Sequence, residues 1–166
     1  MKTIIVYGST TGTAEAVALD LAGAFSEVAV ISAGEVAEND LMGVDLLILG
    51  ASTWGTGDLQ DDMDALLDQF SSWDVNVKTA AVFGVGDQFT YADTYVDGMA
   101  DMAAALKNKA IEMVGTWSAE GYGHNASRAQ AGDVFIGLAL DQDNESDKTA
   151  GRIAEWAKQV MEEVGA

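Results

Sequence analysis

Short apolar runs alternate with amphipathic stretches along the whole chain. Residues 3–7 form a first apolar run, and Ala14, Val17, Ala18, Leu21 and Phe25 then recur at helical spacing. That pattern predicts a strand, a loop and a helix. A second strand is expected at 28–32, a short helix or turn at 38–42, and the most hydrophobic strand at 44–51. Met63, Leu66, Leu67 and Phe70 lay out the next helical stripe. A fourth strand follows at 79–84, and a long helix over 94–110 puts Val96, Met99, Ala103, Leu106 and Ala110 on one face. The fifth strand starts at 111–117. Residues 118–133 are polar, carry glycines and show no period, which predicts an insertion that splits this strand and lets it resume over 134–140. An acidic turn over 141–147 then leads into a closing helix with Ile153, Ala157, Val160 and Val164 inward.

Continuously apolar strands separated by helices predict an α/β fold, a doubly wound five-stranded parallel sheet with helices on both faces. No linker, repeat or low-complexity block interrupts the alternation, so one domain over 1–166 is expected. The 166 residues, 49% of them apolar, can bury one sizeable core and are short for two. In such sheets ligands lie beyond the carboxyl ends of the strands, where the strand order reverses. The loops to inspect therefore follow the first, third, fourth and fifth strands.

The first of these is Gly8-Ser9-Thr10-Thr11-Gly12-Thr13-Ala14. Hydroxyls and backbone donors at the start of a helix suit an anion such as a phosphate, although the same residue types also cap helices for structural reasons. No lysine follows Gly12, which argues against a nucleoside-triphosphate loop, and the spacing does not match the three-glycine dinucleotide fingerprint. The loop after the third strand, Ser52-Thr53-Trp54-Gly55-Thr56-Gly57-Asp58, places a large aromatic among small residues. Trp54 is a candidate partner for a planar ring, or else a core residue. The loop after the fourth strand, Gly86-Asp87-Gln88-Phe89-Thr90-Tyr91-Ala92-Asp93, again offers backbone donors and an aromatic. A heterocycle could lie between Trp54 and Tyr91, or else Tyr91 is a surface aromatic over a helix start. Asp58, Asp87, Asp93 and Asp143 are either a solvated rim or set the charge around such a ring.

Charge and composition narrow the function. Eight Lys and Arg against 27 Asp and Glu leave a formal charge of -19, which opposes nucleic acid and anionic membranes and serves either general solubility, as in a salty environment, or steering toward basic partners, or both. Beyond a screening length of about 8 Å the effect is on association rate more than on contact energy. The chain has no cysteine, so redox chemistry would need a bound cofactor. His124 stands alone, without a second His or Cys to complete a metal site, and is expected on the surface. No apolar stretch approaches the roughly 20 residues of a spanning helix. A soluble cytoplasmic protein with no membrane insertion and no metal is expected.

Taken together, Gly-Ser-Thr-Thr-Gly-Thr, Ser-Thr-Trp-Gly and Gly-Asp-Gln-Phe-Thr-Tyr-Ala-Asp resemble the flavodoxin family in order and spacing, and the split last strand resembles its long-chain branch. The resemblance implies the strand order 2-1-3-4-5 and one FMN bound non-covalently. It places the phosphate on Ser9, Thr10, Thr11, Gly12, Thr13 and Ala14, and the ring between Trp54 and Tyr91 in the loop Ser52, Thr53, Trp54, Gly55, Thr56, Gly57. The backbone of Asp87 and Gln88 is implied near the polar edge of the ring, with Gly86 and Asp93 in the same cofactor-binding loop, and Asp143 and the Thr53 backbone near the ribityl chain. The implied activity is that of a low-potential one-electron carrier, not an enzyme, cycling mainly between semiquinone and hydroquinone. The Gly55 carbonyl is implied to turn toward the flavin nitrogen that gains the first proton. Implied partners are basic redox proteins such as ferredoxin-NADP reductase, photosystem I, nitrogenase or pyruvate oxidoreductase, met by a monomer. The alternative on the same scaffold is an FMN-dependent NAD(P)H or quinone reductase.

Two positions depart from the family pattern. Ala14 stands where a second threonine usually ends the phosphate loop, and Thr94 where long-chain relatives often have asparagine. The first substitution removes one hydroxyl and is expected to weaken FMN binding by roughly 0.5–1.5 kcal/mol. A phospho-receiver module, which shares the alternating pattern, would need an acceptor aspartate at the end of the third strand, where this chain has Gly50-Ala51.

Overall fold

The computed structural model describes residues 1–165. Its elements, in chain order, are β1 (Thr3–Gly8), α1 (Thr13–Ala22), β2 (Val28–Ser32), a 3-10 turn (Glu38–Leu41), β3 (Leu46–Trp54), β4 (Asp58–Leu59), α2 (Asp61–Phe70) and β5 (Thr79–Val85). They continue with α3 (Gly98–Asn108), β6 (Glu112–Met113), β7 (Trp117–Ser118), β8 (Gln130–Ala131), β9 (Val134–Phe135), β10 (Leu138–Leu140) and α4 (Gln142–Glu163).

The main sheet runs β10-β5-β3-β1-β2 with these strands parallel, which is the expected order 2-1-3-4-5. The fifth position is shared. Glu112–Met113 lies beside Thr79 and Ala80, and Leu138–Leu140 lies beside Phe83, Gly84 and Val85. Alternation along each strand makes both faces apolar. Ile4, Val6, Leu47, Leu49, Ala80 and Val82 face one core with residues of α2 and α3, whereas Ile5, Leu46, Ile48, Ala81 and Phe83 face a second core with α1 and α4. Gly50 is required by packing, because a Cβ there would run into the Phe83 ring.

The structure revises four details of the sequence pattern. First, β3 continues past Ala51 to Trp54 and folds back through Gly55–Gly57 to pair antiparallel with Asp58–Leu59; a two-residue strand is too short to show a period. Second, α3 begins at Gly98 rather than at 94. Tyr95 and Val96 belong to a buried turn in which Val96 adopts φ 48, and the Gly98 amide donates to Thr53 Oγ1 at 2.9 Å.

Third, the expected acidic turn is mostly the first turn of α4. The Asp141 carboxylate caps it by accepting from the Asn144 amide at 3.1 Å, and acidic side chains suit the positive helix start. Only Glu145, at φ -134 and ψ 37, departs from helical geometry. Fourth, the insertion is not structureless. β7, β9 and β8 form a small antiparallel sheet, so residues 134–135 belong to it and only 138–140 resume the main sheet. Phe135, fully buried, anchors it among the rings of Tyr95, Tyr122 and His124. His124 is therefore half-buried and not a surface residue, with its ring centroid 5.2 Å from those of Tyr95 and Phe135. Among the described residues no helix is long and apolar enough to cross a membrane.

Candidate functional site

A cleft of about 310 Å³ opens at the carboxyl ends of β1, β3 and β5, against the start of α4. Thr11 and Thr13 form one wall, Ser52, Thr53 and Trp54 a second, Val85, Gly86, Asp87 and Tyr91 a third, and Gln142 and Asp143 the fourth. The strand-end rule of doubly wound sheets thus finds its loops assembled around one space. A larger hollow of about 470 Å³, lined by Met1, Asp45, Lys78 and Val164 among others, lies at the opposite ends of the strands and has no aromatic lining.

The wall from the first loop is an anion cradle by construction. Gly12 caps α1 at φ 90, in the left-handed region, and no side chain caps the first-turn amides. Those amides have no carbonyl one turn earlier to bond and stay open to an anion. Ser9 Oγ accepts from the Gly12 amide at 3.0 Å, and Thr10 Oγ1 accepts from Gln60 Nε2 at 3.3 Å. Ala14 is fully buried and packs into the core beneath the loop with Val17 and Leu21.

Two aromatics flank the cleft in the open. Trp54 is 41% and Tyr91 45% exposed, so neither is a core residue. Trp54 ends β3 beside a tight turn in which the Gly57 amide donates to the Trp54 carbonyl at 3.1 Å, with Gly55 at φ 51 and Gly57 at φ 105. Gly55 and Thr56 form the exposed tip. The Thr53 hydroxyl accepts from the Gly98 amide at the start of α3, and Thr53 lines the cleft beside Trp54.

Asp87 is the ionised group of the third wall. Partial burial would raise its pKa, but hydrogen bonds from Thr90, Asn144 and Phe89 outweigh this and hold it at about 2. The Phe89 and Thr90 amides reach Oδ1 at 3.0 and 2.8 Å, and Asn144 Nδ2 at 2.9 Å. Asp87 is therefore an anion throughout the physiological range.

Gln88 is placed differently from its neighbour. Its side chain is buried behind the cleft, donating to Asp141 Oδ2 at 2.9 Å and Glu145 Oε2 at 3.0 Å, while Oε1 accepts from the Gly123 amide at 2.6 Å. It thereby joins the third wall, the start of α4 and the insertion. Asp93 lies off the cleft lining and accepts from Asn125 Nδ2 at 3.0 Å. Gln142 and Val85 line the cleft although the sequence reading did not single them out. Recognising a helix start at 142 would have found Gln142, because it neighbours Asp143 in the first turn.

Among the described residues no group of carboxylates or histidines could hold a metal ion, and the cleft lining contains no Lys, Arg, His or Cys. What remains is an anion cradle, two open aromatics and fixed negative charge. That set suits a planar ligand with an anionic tail.

Comparison with known proteins agrees with the geometry. Residues 5–156 match the flavodoxin family model. A flavodoxin of Picosynechococcus sp. is 37% identical over 164 residues, covering 97% of this chain and 96% of the relative. A flavodoxin of Helicobacter pylori is 35% identical over 156 residues, covering 94% of each. Among solved structures, a Fusobacterium nucleatum flavodoxin variant bound to flavin mononucleotide superposes with a TM-score of 0.90 at 26% identity, covering 98% of this chain and 97% of the other. With its sheet order, its cleft and nearly its whole length accounted for, the chain belongs to the flavodoxin family.

Proposed function

We propose that this chain binds FMN non-covalently in the cleft and carries electrons one at a time between redox proteins. The observation that carries this reading is the pair Trp54 and Tyr91, two large aromatics held open on either side of one cleft. Exposed aromatic surface in a concave site is unfavourable in water and becomes favourable when a planar ring covers it. The residues present fit FMN. The open first-turn amides of α1, with Ser9, Thr10, Thr11 and Thr13, would hold the phosphate. Gly86 and Asp87, which line the cleft, would meet the polar edge of the ring, whereas Gln88, expected there from the sequence, is buried and already gives its backbone amide to Asp141 Oδ2 at 3.1 Å. The Thr53 backbone with Asp143 would meet the ribityl chain.

When bound, FMN supplies uptake and release of single electrons. The chain contributes charge and shape. Asp87 and Asp143 place negative charge on a cleft that has no lining cation, so further negative charge in that space is disfavoured. Each 1.4 kcal/mol of that penalty lowers a one-electron potential by about 59 mV, which favours a low-potential carrier. The tight turn at Gly55 follows directly on Trp54 of the second wall, and no acid, base or nucleophile is required of the protein.

Flavodoxin relatives more than a third identical along nearly the whole chain favour a carrier over an NAD(P)H or quinone reductase. The charge of -19 suits basic partners, of the kind exemplified by ferredoxin-NADP reductase, photosystem I, nitrogenase or pyruvate oxidoreductase, in the cytoplasm. Purified chain incubated with FMN is expected to quench flavin fluorescence, and reductive titration to resolve two one-electron midpoints. Absence of binding, or catalytic NAD(P)H oxidation with a quinone by the purified protein alone, would overturn the assignment.

A further inference from the structure

Gln60 is 2% exposed, and nothing in the electron-carrier reading uses it. It sits between β4 and α2, and its backbone amide donates to the Ser52 carbonyl at 3.1 Å, so it is tied to the wall that bears Trp54. Its side chain lies under the first loop so closely that a Cβ on Gly8 would collide with it. The orientation of its amide is decided by α2. Gln60 Oε1 accepts from the Met63 amide at 3.0 Å as the helix cap, which forces the NH₂ group to the other side. One proton of that group reaches Asp62 Oδ2 at 3.2 Å and the other Thr10 Oγ1 at 3.3 Å.

A hydroxyl has one proton and two acceptor sites. When an amide donates to it from below, the hydroxyl proton must point elsewhere, and here it is left for the loop surface. Ser9 is arranged the same way, because its Oγ already accepts from the Gly12 amide at 3.0 Å. Both hydroxyls are therefore set as donors, the polarity an anion needs. We propose that Gln60 is a positioning residue that fixes Thr10 as a hydrogen-bond donor to the cofactor phosphate, so that the cap of α2 tunes recognition of the phosphorylated form of the flavin. This inference rests on the FMN reading above.

The test compares FMN with riboflavin, which has the ring and ribityl chain without the phosphate. Both are titrated by fluorescence quenching into the full-length apoprotein and its Gln60→Met, Gln60→Glu and Thr10→Val variants. Gln60→Met removes the donor and is expected to lower the ratio of FMN to riboflavin affinity by about threefold to tenfold, the range of one hydrogen bond. Gln60→Glu keeps an acceptor for the Met63 amide but draws the Thr10 proton inward, and its ratio is expected to fall further. In a Thr10→Val background, Gln60→Met should change the ratio by less than twofold, because the hydroxyl through which it acts is gone.

Parallel loss of FMN and riboflavin affinity in Gln60→Met would show a merely structural role and overturn the proposal. An unchanged ratio in Thr10→Val would overturn it also, without requiring any Gln60 variant to fold. Failure of the unaltered chain to bind FMN would instead remove the cofactor reading itself, and this inference with it.

Discussion

Replacing Glu145 by glutamine tests how the back of the cleft is held. The Glu145 carboxylate accepts from Lys148 Nζ at 2.6 Å, Arg152 Nη1 at 2.8 Å and Gln88 Nε2 at 3.0 Å. Arg152 in turn lies 4.4 Å over the Tyr122 ring. Partial burial opposes ionisation of Glu145, but these three donors and the Arg152 charge outweigh it and take its pKa from 4.5 to about 2. At 1.36 kcal/mol per pH unit, a lowering of that size corresponds to about 3 kcal/mol favouring the charged folded form. Glu145 and Arg152 are only 12% and 13% exposed, whereas Lys148 is 51% exposed, so solvent screens its share. An expected loss of about 1.5–2.5 kcal/mol for Glu145→Gln follows at pH 7.

The pH dependence has a definite sign. A carboxyl whose folded pKa is depressed contributes fully above its unfolded value and loses that contribution as pH falls toward the folded value. The stability gap between parent and variant should be constant from pH 7 to pH 5.5, roughly half as large at pH 3, and absent below about pH 2. Urea unfolding of the apoproteins at these pH values measures it, and taking the difference removes the common effect of neutralising the acidic surface. No gap at pH 7, or one that persists undiminished at pH 3, would refute the reasoning.

Four other substitutions probe the cleft. Trp54→Ala and Tyr91→Ala should each weaken FMN binding by about 1–3 kcal/mol while leaving apoprotein stability within about 0.5 kcal/mol, since both side chains are open; unchanged fluorescence titrations would count against stacking. Gly55→Val forces a β-branched residue into φ 51 and should narrow the separation of the two one-electron midpoints in a reductive titration; an unaltered separation would detach Gly55 from redox tuning. Ala14→Thr should tighten FMN binding by about 0.5–1.5 kcal/mol, and because Ala14 is fully buried it should also lower the apoprotein unfolding midpoint. Affinity equal to that of the parent would show that the backbone alone satisfies the phosphate at that position.

Much of the framework is legible in the pattern of side chains, because a strand buried on both faces must be apolar throughout and a flanking helix must repeat every three to four residues. Residues 3–7, 28–32 and 79–84 lie within strands of the structure for this reason. The loops at Ser9, Trp54 and Tyr91 were legible because hydroxyl, glycine and aromatic residues follow apolar strands at one edge of the sheet. Features that depend on distant partners were hidden. The turn at Tyr95 and Val96 has an apolar sequence that also suits a helix, and the Thr53 hydroxyl that meets the first amide of α3 comes from 45 residues away. His124 reads as a solitary polar residue until Tyr95, Tyr122 and Phe135 are packed around it.

By itself, then, the sequence determined the alternation of elements, the two apolar faces of the sheet and the three loops that meet at its edge. These follow from local chemistry and from the repeat of each element. The tertiary structure alone decided which side chains face the cleft and which brace it. Gln60 and Gln88 are both amides just past the end of a strand, yet both turn inward, because a helix-cap amide waits for one and a buried aspartate for the other. The direction of a buried hydrogen bond depends on partners brought from elsewhere in the chain, and no periodicity along the sequence records it.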